Sequence, residues 1–595
     1  MEAGTIQTTG STTIADLLPR AAQQYAAAAA IRHKVGDTWI DVSFAEVGEI
    51  VSEIGRGLLA LGIEQGDRIA LLSNTRPEWT YSSFAISAAG GVVVPIYPSN
   101  SPAECEWVAG NSEAVGIICE DAEQIAKIVE VREQLPLLRW IVVIDPAGEV
   151  AGATSLDDLR AQGRDREPAA LQTRYEAIGP DDPYTFIYTS GTTGPPKGCV
   201  LSHGNYRQVL HMVEERGLLS AGDDVVYLFL PLAHAFALLI QLTAVDTGTT
   251  IAFWTGDTKR IIPDLAEVKP TYLPSVPRIF EKLYTLVSGN VDPATLAKAT
   301  DVGVRVRDLQ ITGDPVPAEL QAAFDQFDAK LFVNVRAAFG GNLREAVTGA
   351  APIAHEILRF FYAAGVPVME GYGMTETATV ATFSTPEHHR FGSVGRALPG
   401  VEVKIADDGE ILIKGANIFG GYWKNDDASF GSIVDGYLHT GDVGRIDEDG
   451  YIFITGRKKD IIITAGGKNL TPANLENDLK QTRWVSQAVM HGDRRPFPVM
   501  LITLDEEEIV PWATQQGIED TSTAALAVHP EVRALIQAEL DRANEKYAQV
   551  EQVKKFFILD HDLSQETGEL TPTLKVKRNV VNEKYAGRFD ELYGG

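Results

Sequence analysis

Alternation between helical stretches and short β-branched runs constrains the fold of this chain more than any other feature of its sequence. A helix is predicted over 45–61, and β-branched runs stand at 68–72 and 92–95, then at Thr185, 251–253, 271–273, 346–349 and 366–369. Strands that alternate with helices form βαβ units, in which a helical crossover joins parallel strands. We therefore predict an α/β fold with two α/β subdomains, over about 1–180 and 181–390.

The character of the sequence changes near Gly392. Short apolar runs at 401–405 and 410–413 are separated by glycines, a spacing typical of a small antiparallel β unit. After Asp460 the sequence predicts a helix over 472–481 and strands near 485–490 and 499–503. We predict a small β-barrel-like unit over 391–456 and an α+β C-terminal domain over 460–595, since about 130 residues is a common domain size.

The composition limits partners and compartment. A formal net charge of −29 over 595 residues argues against nucleic acid, which requires a basic surface, and disfavours broad docking on anionic lipid. The cysteines Cys105, Cys119 and Cys199 lack metal-ligand spacing and cannot all pair, so we expect a reducing, cytoplasmic setting. We expect no secretory signal and no membrane span, because the apolar runs at 84–97 and 235–245 are short or interrupted. The sequence leaves open a weak peripheral membrane contact and a homodimer.

A glycine- and hydroxyl-rich loop follows the run at Thr185. Its backbone N–H groups, its Ser and Thr hydroxyls and the Lys197 ammonium suit a polyphosphate ligand. The loop does not match the P-loop motif, because counting from Gly191 puts Pro196 where the second glycine must stand. On these residues alone, a surface turn without a ligand is the alternative.

Five stretches in order along the chain resemble the adenylate-forming (acyl-activating) enzymes. They are Tyr-Thr-Ser-Gly-Thr-Thr-Gly-Pro-Pro-Lys-Gly at 188–198, Gly-Tyr-Gly-Met-Thr-Glu-Thr at 371–377, Tyr-Leu-His-Thr-Gly-Asp at 437–442, Gly-Arg-Lys-Lys-Asp at 456–460 and Leu-Thr-Pro-Thr-Leu-Lys at 570–575. Within that superfamily, 276–282 and 570–578 are most similar to the bacterial long-chain fatty-acid–CoA ligases. The resemblance implies two steps: fatty acid and ATP form acyl-adenylate and pyrophosphate, and the thiol of coenzyme A then displaces AMP.

The resemblance also implies a nucleotide site. Glu376, with Thr189, would hold Mg²⁺ against the phosphates, and Asp442 and Arg457 would contact the ribose. Tyr372 would stack on adenine. The ATP- or AMP-binding residues implied in full are Thr189, Ser190, Gly191, Thr192, Thr193, Gly194, Lys197, Gly349, Ala350, Ala351, Gly371, Tyr372, Gly373, Met374, Thr375, Asp442 and Arg457. Taken singly, Glu376 reads as a solvated loop carboxylate and Tyr372 as a core residue.

The resemblance further implies that Lys575 bridges the substrate carboxylate and the α-phosphate in the first step. The sequence departs from the commonest superfamily pattern here, since Thr573 and Leu574 stand where Ser-Gly is usual, and this variant is the long-chain ligase form. The alternative is a basic face, formed by Lys575, Lys577 and Arg578, for the phosphates of coenzyme A.

The C-terminal domain is implied to move about a hinge at 457–459, centred on Lys459. The movement would withdraw Lys575 and bring up a coenzyme A-binding face at Gly466, Gly467 and Lys468. A Gly-Gly hairpin without a ligand is the alternative for that stretch.

The acyl pocket is implied to include His234, Phe236, Pro274 and Val276, and the segment 230–240 is almost wholly apolar, as an alkyl chain requires. Amino-acid-activating relatives place an Asp near this position, and none stands in 230–241. His234 would gate the pocket or orient the carboxylate, with a core histidine as the alternative.

We predict an ATP- and Mg²⁺-dependent long-chain fatty-acid–CoA ligase. One alternative is an acyl-AMP ligase that loads a carrier protein, although such enzymes carry an insertion near the domain junction that is not apparent between 450 and 472. A nucleotide-binding regulatory protein without turnover is an alternative of another class, and a luciferase-like oxygenase has no positive sequence feature.

Overall fold

The computed structural model describes residues 8–146, 152–189, 195–216, 219, 223–289, 291–465 and 468–594. A first sheet of seven strands lies between residues 68 and 202, and it is parallel except for its last strand. In spatial order the strands are Ala153–Ser155, Trp140–Val143, Gly116–Cys119, Arg68–Leu72, Val92–Ile96, Pro183–Thr189 and Lys197–Ser202. The central strands are almost wholly buried, as expected for a parallel sheet covered on both faces.

A second sheet of nine strands draws on two separated parts of the chain. Ala29–Val35 pairs in parallel with Thr250–Phe253, which sets Ile31 opposite Ile251. The strands at its core are parallel, and the strands at both edges are antiparallel. In spatial order they are Arg396–Ala397, Thr382–Phe383, Val368–Tyr372, Glu345–Thr348, Tyr272–Ser275, Val225–Leu228, Thr250–Phe253, Ala29–Val35 and Thr38–Ser43. The α/β class predicted from the alternation is confirmed by these two sheets.

Two smaller units follow. An antiparallel sheet contains Glu402–Ile405, Glu410–Lys414, Ile433–Val434, Tyr437–Ile446 and Ile452–Arg457. The C-terminal part contains the two-stranded sheet of Ile462–Ile463 and Asn469–Leu470 and the mixed sheet of Val485–His491, Val499–Leu504 and Lys555–Ile558. The predicted small β unit and the α+β C-terminal part are therefore both present.

Helices join the strands, and the helix Phe44–Ala60 illustrates how the sequence sets their starts. The backbone N–H of Glu46 donates to Oγ of Ser43, and the backbone N–H of Ser43 donates to the Glu46 carboxylate, forming a capping box. The remaining N-terminal helices are Leu17–Gln24, Pro77–Ala88, Pro102–Asn111, Ala122–Glu130, Leu156–Arg164, Pro168–Glu176, His203–Glu215, Ala235–Thr247, Ile261–Val268, Pro277–Ser288, Pro293–Thr312, Ala318–Phe327, Val333–Ala338, His355–Ala364 and Asp426–Ser432. The C-terminal helices are Pro472–Lys480, Glu506–Gln515, Thr523–Val528, Pro530–Asn544, Arg578–Lys584 and Ala586–Leu592. Within the described ranges, no helix is both long and apolar enough to cross a membrane.

The hydrophobic cores separate near residue 460. One large core joins side chains from both α/β sheets. Among the described residues, the two C-terminal clusters begin at Ile462 and at Val489 and include no residue that precedes Ile462. The chain therefore passes from one packed body to another between Arg457 and Ile462, although the predicted domain boundaries themselves stay a prediction.

Candidate active site

The predicted site residues of the second sheet lie at the carboxyl ends of its central strands, an end of the sheet that is called its carboxyl edge below. The parallel strands Tyr272–Ser275, Glu345–Thr348 and Val368–Tyr372 are neighbours, with Ser275 opposite Thr348 and Thr348 opposite Glu370. Their carboxyl ends therefore lie side by side, and the predicted residues that follow each strand meet there. Ligands of open α/β sheets bind in the crevice outside the carboxyl ends of the strands.

Two glycines keep the backbone segments of this edge close together. A Cβ added to Gly349 would lie 3.1 Å from the carbonyl oxygen of Gly371, and one added to Gly373 would lie 2.2 Å from that of Thr379. Ala350 and Thr379 both adopt positive φ, at 67° and 100°. Left-handed conformations of non-glycine residues cost of order 1–3 kcal/mol and cluster at ligand sites. The backbone conformations of Ala350 and Thr379 therefore lower the stability of the folded protein.

Tyr372, Asp442 and Arg457 form a connected group. The Tyr372 hydroxyl donates to Oδ2 of Asp442 at 2.8 Å, and Nε of Arg457 donates to Oδ1 at 2.7 Å. Burial raises the pKa of Tyr372 well above its usual range, and the Asp442 carboxylate raises it further, so the hydroxyl stays protonated. The structure thus brings together the predicted adenine-stacking residue and both predicted ribose contacts.

Glu376 lies in a short helical turn after Tyr372 and is 6 % exposed. Its Oε1 accepts the hydroxyl of Tyr422 at 2.6 Å, and the Lys197 ammonium lies 5.1 Å from the centre of the Tyr422 ring. The predicted phosphate-binding lysine and the predicted metal-binding carboxylate therefore share one aromatic neighbour. Sequence reasoning missed Tyr422, whose only signal is its place after the paired glycines of Gly-Gly-Tyr-Trp at 420–423.

His234 caps the helix Ala235–Thr247 at the same edge. Its Nδ1 accepts the backbone N–H of Phe236 at 3.2 Å, so Nε2 carries the ring proton in the neutral side chain. Burial lowers the pKa of His234 to about 4, and the nearby Lys575 ammonium contributes to the shift. His234 is therefore a neutral hydrogen-bond donor at physiological pH.

Lys575 reaches this cleft from the C-terminal part. Its side chain is exposed, and its ammonium is near enough to Arg457, Asp442 and Glu376 for their charges to act on it. Desolvation by neighbouring protein groups lowers the pKa of Lys575, and Arg457 lowers it further, whereas Asp442 and Glu376 oppose the shift. The structure thus places Lys575 among the predicted ribose- and metal-binding residues.

A tight turn over 571–575 presents Lys575. The N–H of Thr571 donates to the carbonyl of Lys575, and the N–H of Leu574 donates to the carbonyl of Thr571, both at 2.8 Å. Leu574 has a φ of 59° and is 63 % exposed. This left-handed conformation gives a physical reason for the glycine that is usual in the superfamily at this position.

We expect Leu574→Val to slow acid-dependent pyrophosphate release about fivefold, since a β-branched residue adds about 1 kcal/mol of strain here. The matched variant Leu574→Gly should retain the wild-type rate, because glycine adopts this φ freely. Pyrophosphate release by both variants tests the expectation. Equal losses in the two variants would instead assign the effect to the leucine side chain.

Seven of the predicted site residues lie outside the described residues: Ser190, Gly191, Thr192, Thr193, Gly194, Gly466 and Gly467. Thr189 ends the strand Pro183–Thr189, and its hydroxyl lies 3.9 Å from Sγ of Cys199. Lys468 forms an ion pair with Glu551 at 3.3 Å within the C-terminal part.

The alternative role of Arg578 in binding phosphates is not supported. Its guanidinium donates to both Glu476 oxygens at 2.7 Å and to the carbonyl of Met490 at 2.9 Å. Arg578 is thus engaged in the packing of the C-terminal domain.

The predicted acyl-pocket residues adjoin the same edge. Pro274 is buried in the strand Tyr272–Ser275, and Val276 and Phe236 are partly buried against the large core. The helix Ala235–Thr247 that begins beside His234 is buried from Ala237 to its end. The polar groups of the cleft therefore border on an apolar interior.

Comparison with known proteins adds independent evidence. The AMP-binding enzyme model matches residues 18–423, and the model of the AMP-binding enzyme C-terminal domain matches residues 459–595. This chain belongs to the AMP-binding enzyme family. The superfamily resemblance of the five motifs is thereby confirmed.

Curated relatives of this AMP-binding enzyme cover nearly its whole length. The long-chain-fatty-acid–CoA ligase FadD15 of Mycobacterium bovis is 40% identical over 569 residues, covering 94% of this chain and 93% of that protein. The long-chain-fatty-acid–CoA ligase ACSBG1 of Rattus norvegicus is 32% identical, covering 98% and 85%. A solved anthranilate CoA ligase, AuaEII in complex with anthranoyl-AMP, has a TM-score of 0.73 at 22% identity, covering 97% of this chain and 98% of that chain. That structure supports the fold.

Proposed function

We propose that this AMP-binding enzyme is an ATP-dependent long-chain fatty-acid–CoA ligase. The observation that carries the proposal is the linked group of Tyr372, Asp442 and Arg457, with the Lys575 ammonium of the C-terminal part near enough to interact with the charges of Arg457 and Asp442. The mycobacterial and mammalian relatives are named long-chain-fatty-acid–CoA ligases, and their similarity covers nearly all of this chain, which supports the choice of a long-chain acid.

In the first step, the Lys575 ammonium lies between the fatty-acid carboxylate and the α-phosphate of ATP. Its positive charge lowers the repulsion between two anions and stabilises the charge that develops as the new bond forms. Arg457 and Asp442 hold the ribose. The neutral His234 donates from Nε2 to the carboxylate and orients it for attack.

Mg²⁺ fits this residue set. Among the described residues, no group of three or more His, Cys, Asp and Glu side chains could hold a metal by itself. Mg²⁺ commonly binds through one or two carboxylates together with substrate phosphates, so Glu376 beside Lys197 is a suitable donor. When bound, the ion would neutralise phosphate charge.

In the second step, the C-terminal domain must withdraw Lys575 so that coenzyme A can reach the acyl-adenylate. Two ion pairs oppose this movement from the helix Pro277–Ser288. Arg278 contacts Asp505, and Nζ of Lys282 lies 2.7 Å from Oε2 of Glu507. The Lys282 hydrogen bond lowers the pKa of Glu507. We infer that these pairs favour the arrangement in which adenylation occurs.

The variant Lys282→Glu should slow pyrophosphate release by up to about fivefold, because exposed ion pairs contribute roughly 0.2–1 kcal/mol. The charge swap Lys282→Glu with Glu507→Lys should restore the rate. Stopped-flow measurement of pyrophosphate release in the three proteins checks this expectation. If the double variant stays as slow as the single one, the pair has no role in domain arrangement.

Coenzyme A-dependent AMP release across acids of two to about twenty carbons tests the proposed function. Each buried methylene contributes about 0.8 kcal/mol, so the rates should rise steeply toward long chains. A best rate with acetate or an aromatic acid would contradict the long-chain assignment. Acyl transfer to a carrier protein in place of coenzyme A would favour the acyl-AMP ligase.

We also propose that the protein is cytoplasmic and that fatty acid, ATP and coenzyme A are its small-molecule partners.

A further inference from the structure

Tyr422 occupies a position between two charged groups of opposite sign. Its hydroxyl donates to Oε1 of Glu376 at 2.6 Å, while its ring lies 5.1 Å from the Lys197 ammonium. The hydroxyl is the donor of this hydrogen bond, because an ionised carboxylate can only accept. One side chain thus contacts both groups that would meet the phosphates and their metal.

The backbone around Tyr422 is tied to the strand that carries Lys197. The N–H of Trp423 donates to the carbonyl of Gly198 at 2.8 Å, and the N–H of Val200 donates to the carbonyl of Gly421 at 3.0 Å. Tyr422 therefore lies opposite Cys199 in a short antiparallel pairing. These main-chain bonds fix the backbone of Tyr422 relative to the strand that carries Lys197.

The same segment is tied to the turn that carries Glu376. The N–H of Phe419 donates to the carbonyl of Glu376 at 2.9 Å. The side-chain amide of Asn417 donates to the carbonyls of Thr377 at 3.2 Å and Val380 at 3.1 Å. Residues 417–423 are therefore hydrogen-bonded both to the strand that carries Lys197 and to the turn that carries Glu376, and they connect the two.

We propose that Tyr422 is a positioning residue for adenylation, whose hydroxyl orients the Glu376 carboxylate and whose ring supports the Lys197 ammonium. The proposal rests on the proposed function, since it assumes that Glu376 holds Mg²⁺ and that Lys197 meets the phosphates. A carboxylate held through one oxygen presents its other oxygen in a defined direction. Loss of a hydrogen-bonding partner of a metal ligand typically costs about 10–100-fold in metal affinity or activity.

Calorimetric titration of the full chain with ATP, in Mg²⁺ and in EDTA, tests the proposal without turnover. Tyr422→Phe should weaken binding of ATP about tenfold in Mg²⁺ and leave binding in EDTA unchanged. Tyr422→Leu should weaken binding in EDTA as well, by about two- to fivefold, because the ring beneath Lys197 is also lost.

A matched control is Tyr362→Phe, which removes a hydroxyl that donates to Oδ1 of Asp308 at 2.9 Å outside the cleft. It should leave ATP binding unchanged under both conditions. The double variant Tyr422→Phe with Glu376→Gln should lose no more Mg²⁺-dependent affinity than Glu376→Gln alone. Additive losses, or equal losses in Mg²⁺ and EDTA, would overturn the positioning role.

The chain-length assay separates this proposal from the function on which it rests. If wild-type protein forms no AMP with any acid but shows the Tyr422-dependent Mg²⁺ effect, the ligase proposal fails, and the role of Tyr422 is limited to positioning Glu376 and Lys197 for binding of Mg²⁺ and ATP. If AMP release is normal and Tyr422→Phe binds ATP as wild type does in Mg²⁺, the positioning role fails alone.

Discussion

The Lys575→Ala variant should lose fatty-acid-dependent pyrophosphate release by about 10²–10³-fold, the usual effect of removing one group that stabilises developing charge. Lys575 lies among Arg457, Asp442 and Glu376, so its charge is available where the carboxylate meets the α-phosphate. Conversion of supplied acyl-adenylate to acyl-CoA should survive better, because in the proposed mechanism Lys575 is withdrawn before that step. Pyrophosphate release and thioester formation are measured separately.

Lys554→Ala is the control for this experiment. Lys554 is an exposed lysine of the same domain whose ammonium donates to Gln552 at 3.0 Å. Its replacement should leave both half-reactions unchanged. Equal damage to the two half-reactions by Lys575→Ala would remove the role assigned to Lys575 and leave a structural role in its place.

The second large effect is expected from Lys459→Pro, which should slow thioester formation roughly 100-fold and spare adenylation. Lys459 lies in the 3₁₀ turn Lys458–Asp460, and the φ typical of 3₁₀ helices is close to the φ that proline imposes, so we expect the arrangement for adenylation to persist. A swing that needs another φ at this residue meets a penalty of about 3 kcal/mol. Single-turnover measurement of acyl-adenylate and acyl-CoA formation distinguishes the two steps.

The surroundings of Lys459 make it a suitable hinge. Lys458 is held to the small β unit by Asp408 at 2.6 Å and Glu410 at 2.9 Å, whereas Ile462 already packs in the C-terminal core. A change of backbone torsion that moves the C-terminal domain must therefore occur between Lys458 and Ile462. Lys459→Ala, which removes the side chain and leaves φ free, should retain thioester formation. A slow alanine variant, or a proline variant slow only in adenylation, would contradict the hinge.

Local structure was predictable where the pattern of the sequence is strong. The strand predicted at 68–72 is the observed Arg68–Leu72, and the helix predicted over 45–61 is the observed Phe44–Ala60. In both cases the apolar spacing identifies the element, and at Phe44 a capping box marks its start. The pairing of Ala29–Val35 with Thr250–Phe253 was not predicted, because periodicity carries no information about distant partners.

The site shows the same division. Asp442, Arg457 and Lys575 were placed by motifs, and the structure brings them together. Tyr422 was missed because an aromatic residue after glycines usually packs in a core, and only the fold brings it to Glu376. The left-handed φ of Leu574 was also not predicted, since leucine itself favours no such conformation.

The separated origin of the second sheet has a consequence for biosynthesis. The first sheet lies within 68–202, so it is available to fold once that stretch has left the ribosome. Ala29–Val35 emerges earlier, but its partner Thr250–Phe253 follows about 215 residues later, a delay of roughly 10–40 s at ordinary rates of synthesis. A lone two-stranded hairpin is at best marginally stable in water. During synthesis, the strand Ala29–Val35 therefore stays without its parallel partner while the first sheet, which lies between the two strands in the sequence, can already fold.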